Sequence, residues 1–248
     1  MYLEGDYQFL NYTFIFSLLY MVSFQLLGKC WTKFDKLDKA VQIEFASRIV
    51  SAVHAGVVCL RGAHVFFTDE NIFNNKLMYT SETLSLTYHI ALGYFIYDFF
   101  LILYYYNEIF DFVFMIHHIV SVTGCYISLK YGYFALLLVV RCLSELSTVF
   151  VNTGWMLLNL KMTNSKLYYL NGLFLFVSFC LVRIYPIVPH WNIYFYEYTT
   201  MDLWNNIPTL WKAIFGGFSG ALDVLNVYWF YRIGSMIHQA VYGSKKID

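Results

Sequence analysis

The sequence predicts an all-α multi-pass membrane protein with about seven transmembrane helices. Three observations predict it. Of 248 residues, 59% are hydrophobic and only 13% charged, and mean hydropathy is +0.54; a water-soluble domain carries roughly 25% charge. Apolar runs of about 20 residues, the length that spans hydrocarbon as a helix, recur along the whole chain. Basic residues gather in alternate loops between those runs. Backbone groups in lipid must be satisfied within their own segment, so the runs are read as helices.

The candidate spans are 7–27, 45–66, 83–106, 111–129, 133–155, 167–189 and 207–233. The first has no basic segment before it and no small-residue cleavage site ahead of Lys29, so it is expected to be retained rather than cleaved. Asn11-Tyr12-Thr13 fits a glycosylation sequon, but it lies inside this span and is expected to be unused. The fourth and fifth spans are joined by the short turn Lys130-Tyr131-Gly132. Pro186 and Pro189 are expected to end the sixth span. Pro208 suits the first turn of the seventh, where a missing N–H costs nothing. The aromatic segment 190–206 is expected to lie at a membrane interface. No loop is long enough for a separate soluble domain. The chain therefore divides into residues 1–42 (first span and basic loop), 43–235 (membrane domain) and 236–248 (tail).

Charge sets the expected orientation. With the N-terminus outside, the inner loops carry Lys29, Lys33, Lys36, Lys39, Lys161 and Lys166, with Arg232 at the edge of the inner tail. The outer loops carry Lys76 and Lys130 alone. An odd number of spans satisfies the positive-inside rule; an even number splits the bias. The tail ends Lys245-Lys246-Ile247-Asp248, the form of a cytosolic di-lysine retrieval signal. The expected location is the endoplasmic reticulum, with a lumenal N-terminus and cytosolic C-terminus. If a partner masks the signal, the alternative is another organelle membrane such as the mitochondrial inner membrane.

Several function classes fall away. Sixteen basic and sixteen acidic residues balance, and no basic stripe points to nucleic acid. The five cysteines stand singly, without metal-ligand spacing or a disulfide framework. The seven histidines include one adjacent pair, too few for a di-iron site, so no metal is expected. There is no Gly-rich phosphate loop and no Gly-x-Ser-x-Gly nucleophile signature. Seven spans suggest a receptor, but the loops are short and receptor motifs are lacking.

The polar residues inside the spans carry the functional signal. An ionisable group at that depth costs several kcal/mol, about 2.5–3.5 on insertion scales. His54, Asp98, His117, His118, Glu145 and Asp223 all fall at or just cytosolic of mid-span at about 1.5 Å rise per residue. Arg141, Glu145, Thr148 and Asn152 recur at i, i+4, i+7 and i+11, one helical stripe, with Ser144 beside it. His118, Ser121, Cys125 and Ser128 form a narrower stripe. Ser219, Asp223 and Asn226 form another, beside Gly216 and Gly220 at a spacing suited to close helix packing. Buried Arg–carboxylate pairs also hold membrane helices together without chemistry; Arg141 could pair with Glu145, and Arg183 with Asp223. Two histidines and three acids at one depth favour a functional cavity.

At these residues the chain resembles the TRAM–Lag–CLN (TLC) domain family, over about residues 45–233. The resemblance rests on Ser47-Arg48-Ile49-Val50-Ser51 with His54, GYFIYDFF through Asp98, His117-His118, RCLSELSTVFVN at 141–152, NGLFLFVSFCLVRI at 171–184 and LDVLNVYW at 222–229. It implies a helical bundle around a membrane cavity, with the first span outside it. Ceramide synthases, in the same family, carry a His-His pair followed at a fixed interval by His-Asp and transfer a fatty acyl group from acyl-CoA to a sphingoid amine. His117 and His118 match the first pair. Ser144-Glu145 stands at the second, so a carboxylate is kept and a histidine lost; Thr148 stands where a further Asp is expected.

Two readings stay open. In the first, the chain acts in lipid homeostasis, binding or acyl-transferring a lipid of the ceramide or phospholipid class. His118 would be the base, His117 would sit beside it, and Glu145 or Asp98 would orient the ring. The expected partners are membrane lipids. No bound cofactor is expected, and acyl-CoA would be a substrate. In the second, the chain is a non-enzymatic lipid-binding, trafficking or structural subunit of a larger membrane protein complex. The residues leave open whether it is an enzyme.

Overall fold

The computed structural model describes the backbone of residues 7–242 and the side chains of 7–238. Lys245 and Lys246 of the expected retrieval signal lie outside the described residues. Among those described there is no strand, only a lone antiparallel bridge between Met78 and Tyr133. The chain is all-helical and multi-pass. Six helical stretches are long and apolar enough to cross a membrane: Gln8–Cys30, Lys39–Thr68, Glu82–Tyr104, Phe112–Tyr131, Ala135–Asn159 and Lys166–Thr200. The seventh expected span lies in the 34-residue helix Thr209–Tyr242, which is long enough but less apolar. Its apolar run is interrupted by Ser219, Asp223 and Asn226, all buried.

The chain forms two compact units, one ending at Glu145 and one starting at Leu146. In the first unit, α1 (Gln8–Cys30), α2 (Lys39–Thr68), α3 (Glu82–Tyr104), α4 (Phe112–Tyr131) and α5 (Ala135–Leu143) follow in order. α3 is the hub. It packs against α1, α2 and α4, and 72% of its apolar window is buried, against 17% for α1. A helix apolar on every side belongs inside a bundle. Ser81 caps α3, its Oγ accepting from the Leu84 N–H (3.3 Å), and Asp111 caps α4, accepting from the Val113 and Phe114 N–H groups (2.8 and 3.2 Å).

The turn after α4 needs a left-handed residue, and Gly132 supplies it at φ 72°. Phe134, fully buried, takes φ 59° to start α5. That strained conformation is held by a neighbouring strap: Phe134 N–H donates to the Leu77 carbonyl (2.7 Å), Leu136 N–H to Lys76 (3.2 Å) and Tyr79 N–H to Gly132 (3.0 Å). The strap is itself pinned, Tyr79 Oη donating to Asp69 Oδ2 at 2.8 Å. Burial, then the bond to Asp69, raise the Tyr79 pKa, so the hydroxyl stays a donor.

The first span, expected to stand outside the bundle, lies directly against α2 and α3. Gly93 permits this. A Cβ there would sit 2.5 Å from Tyr12 Cβ, 2.7 Å from the Phe9 carbonyl oxygen and 2.9 Å from the Thr13 nitrogen. Thr13 Oγ1 donates to the Gly93 carbonyl at 3.1 Å across the same crossing.

In the second unit, α6 (Leu146–Asn159), α7 (Lys166–Phe179), the short α8 (Ile187–Asn192) and α9 (Thr209–Tyr242) are the main helices. The sixth span does not end at Pro186 and Pro189. A π-helical turn over Cys180–Ile184 leads past Pro186 into α8, and a second, Ile193–Glu197, follows it. Pro186 is the N-cap of α8 and Pro189 lies in its first turn, where backbone N–H groups have no intrahelical acceptor. Proline therefore does not stop the path, and much of 190–206 is helical rather than loop.

Gly93→Leu should force α1 away from α3 and lower stability by about 1–3 kcal/mol, the usual range for overpacking. Gly217→Ala, where an added Cβ meets nothing within 4 Å, should change little. Thermal unfolding of the two variants in the same detergent checks this; equal melting temperatures would contradict the close crossing.

Candidate functional site

The first unit brings Asp98 of α3 and His118 of α4 together. His118 Nδ1 lies 2.6 Å from the Phe114 carbonyl oxygen one turn back, and its Nε2 lies 2.9 Å from Asp98 Oδ2. A carbonyl only accepts, so Nδ1 carries a hydrogen. The contact between Nε2 and Oδ2 then holds one further proton, on the imidazole or on the carboxyl. Either way the pair is neutral overall, which suits a place where His118 is 3% and Asp98 7% exposed. The second oxygen of Asp98 is also used: Ser47 Oγ of α2 donates to Oδ1 at 3.2 Å. Three helices thus meet at one carboxylate.

An aromatic nest surrounds this pair. The Phe95 ring stands edge-on to both His117 and His118, each centroid 5.7 Å away. Half-buried His117 packs edge-on against His118 at 5.6 Å. On its other contacts Phe95 meets His54, fully buried on α2, at 5.3 Å. His54 stacks flat on Tyr94, centroid to centroid 3.7 Å and 11° apart. Phe16 of α1 closes the nest, edge-on to His54 at 5.9 Å and to Tyr94 at 5.4 Å.

Of the sequence-predicted residues, His54, Asp98, His117, His118, Arg141, Ser144 and Glu145 lie in the first unit. Asp98 is the carboxylate hydrogen-bonded to His118. Glu145 is buried where the helical ladder is interrupted between α5 and α6. The Ser144 and Glu145 N–H groups there reach back three residues, to Arg141 and Cys142 (3.1 and 3.3 Å), and Ser144 Oγ donates to the Arg141 carbonyl at 2.6 Å. The predicted stripe Arg141–Glu145–Thr148–Asn152 is therefore divided, with Thr148 and Asn152 in the second unit.

The second unit has its own polar cluster, centred on Arg183 in the first π-helical turn. Its Nε donates to Ser147 Oγ (2.7 Å), Nη1 to Asn226 Oδ1 (3.2 Å) and Nη2 to Thr148 Oγ1 (2.9 Å). The guanidinium also lies 5.3 Å from the Phe179 ring centre. Asp223, one turn before Asn226 on α9, accepts from Trp191 Nε1 at 2.9 Å. Asn152 is buried, and Asn171 Nδ2 donates to the Phe150 carbonyl at 3.0 Å. Irregular π-helical turns of this kind recur at functional sites.

Ser47, Tyr94 and Phe95 stand in the sequence only inside longer motifs, with nothing to mark them as partners of the site, and Phe16 lies in an ordinary apolar run. Aromatics are so common in this chain that no pattern singled these out. Ser147 is likewise visible only inside the stretch 141–152, and Trp191 carries no signal in the sequence. Among the described residues, no cluster of three or more His, Cys, Asp or Glu side chains is arranged to hold a metal ion.

Removing one partner of a buried pair leaves the other uncompensated, at about 3–5 kcal/mol. Asp98→Ala and His118→Ala should each destabilise on that scale. The double variant should lose less than the sum, with a coupling of about 1 kcal/mol or more. Equilibrium unfolding in micelles measures the cycle; strictly additive losses would contradict the pair.

A family model described as the TLC domain, under the heading TRAM_LAG1_CLN8, matches residues 44–234. The human protein named TLC domain-containing protein 4 is 34% identical over 222 residues, covering 89% of this chain and 84% of its own. TLC domain-containing protein 4-B of Xenopus laevis is 28% identical over 240 residues, covering 93% and 91%. TLC domain-containing protein 4 A of Dictyostelium discoideum is 26% identical over 228 residues, covering 90% and 86%. The model match takes in α2 to α5 and the polar clusters of both units, and the chain belongs to the TLC domain family.

Proposed function

We propose that this integral membrane protein acts in lipid homeostasis by engaging a lipid at the buried site of the first unit. The observation that carries the reading is the His118–Asp98 contact, a neutral pair storing a movable proton between Nε2 and Oδ2. Such a store is what acyl transfer would draw on. A fatty acyl group would leave the CoA sulfur and bond to the nitrogen or oxygen of an acceptor lipid. The pair would take the acceptor's proton, and the thiolate of CoA would be protonated in turn. In this reading His118 handles the proton, Asp98 holds the ring, His117 and Glu145 line the site, and acyl-CoA is a substrate rather than a resident cofactor. The endoplasmic reticulum, with the C-terminus cytosolic, is the proposed location, because acyl-CoA is cytosolic.

A second reading has its own observation. Both nitrogens of His118 are already hydrogen-bonded, one to backbone and one to Asp98. In this arrangement neither is presented to a substrate. That favours non-enzymatic lipid binding, or a structural role in a larger membrane complex, with the pair serving to hold α3 to α4.

The lipidome of cells lacking the endogenous protein separates the readings. Wild type should shift one lipid class, and His117→Ala/His118→Ala at equal protein level should not. A folded double variant that restores the same shift would remove the histidines from the function and leave the structural role.

A further inference from the structure

His54 is a buried titratable side chain that the His118–Asp98 pair does not use. It is 0% exposed and packed against the rings of Phe16, Tyr94 and Phe95. Among the described residues neither Nδ1 nor Nε2 has a hydrogen-bond partner. A neutral imidazole has one donor and one acceptor, and burying either unmade costs about 1–3 kcal/mol. A phenylalanine would fill the same stack at no such cost. The histidine is therefore a net expense to the fold unless something outside the protein meets its nitrogens.

The surroundings restrict what that is. An anionic headgroup brought among these rings would lose its hydration with no countercharge supplied by the nest, and a quaternary ammonium, which aromatic faces can hold, has neither an N–H nor a lone pair to meet the imidazole nitrogens. An ester carbonyl can only accept. An alcohol oxygen can receive the imidazole N–H or donate to the bare nitrogen, so it suits His54 in either tautomer. On one side of His54 lies α1, whose buried side chains are Phe16, Tyr20 and Ser23 and whose remainder is largely exposed. Phe16 is the ring that covers His54 from that side.

We propose that His54 is the hydrogen-bonding subsite for the uncharged hydroxyl head of a lipid, which reaches it past Phe16 from the α1 side. This deepens the lipid reading given above and rests on it. It also gives α1, which lies outside the matched 44–234 region, a part in the site.

The test is photolabelling of the full-length protein in phosphatidylcholine nanodiscs. The probes are a monoacylglycerol and the methyl ester of the same fatty acid, each carrying a diazirine and an alkyne. Wild type should be labelled by the monoacylglycerol on peptides of α1 to α3. His54→Phe should cut that labelling about tenfold, the loss of one net hydrogen bond of about 1.4 kcal/mol, and leave methyl ester labelling unchanged. It should melt no lower than wild type, which separates lost binding from lost folding. His54→Gln, which keeps a donor and an acceptor, should retain most of the labelling. Equal monoacylglycerol labelling of wild type and His54→Phe would overturn the subsite alone. No labelling of the first unit by either probe would overturn the subsite together with the lipid reading.

Discussion

A histidine and an aspartate buried side by side in an apolar bundle cannot both carry charge independently; they must share a proton. That constraint organises the first unit. The backbone carbonyl of Phe114 takes one ring nitrogen of His118, Asp98 takes the other, and Ser47 takes the remaining oxygen of Asp98. Each bond comes from a different turn or helix, so α2, α3 and α4 are held in register by polar atoms rather than by apolar contact alone. In lipid this matters more than in water, because hydrocarbon outside the bundle is as apolar as the leucines inside it.

The second unit meets the same constraint differently. A guanidinium cannot give up its proton, so Arg183 is accommodated by neutral oxygens from Ser147, Thr148 and Asn226 and by the face of Phe179. The π-helical turn at Cys180–Ile184 is where this occurs. Widening one turn shifts the residues after it on the helix surface. Both units thus contain ionisable groups whose hydrogen bonds are met within their own fold, and His118, Asp98 and Arg183 all lie in the region matched by the family model.

Much of this was legible in the sequence. Run length and hydropathy locate the spans, and a depth argument puts His54, Asp98, His117, His118, Glu145 and Asp223 in one polar layer; the structure gathers the three histidines and Asp98 in the first unit, whereas Asp223 lies in the second. The residues that failed were those whose role depends on packing. Gly93 reads as an ordinary glycine in an apolar run; only the crossing of α1 and α3 shows why nothing larger fits. Pro186 and Pro189 read as a stop, because sequence cannot show that a π-helical turn precedes them and that Pro189 falls in a first turn. The stripe from Arg141 to Asn152 assumes an unbroken helix, and the interruption at Ser144 and Glu145 divides it. The aromatic nest was hidden by abundance: with 24 Phe and 23 Tyr, no single ring stands out.

The proton shared by His118 and Asp98 is what joins α3 to α4 at this site, and it can be observed directly. Nitrogen NMR of ¹⁵N-histidine-labelled protein in nanodiscs reports which ring nitrogen carries hydrogen, with His118 assigned by loss of its signals in His118→Gln. The geometry predicts a hydrogen-bonded, protonated Nδ1 and an Nε2 resonance that moves when Asp98 is replaced by asparagine. A His118 with bare Nδ1, or an Nε2 resonance indifferent to Asp98→Asn, would contradict it.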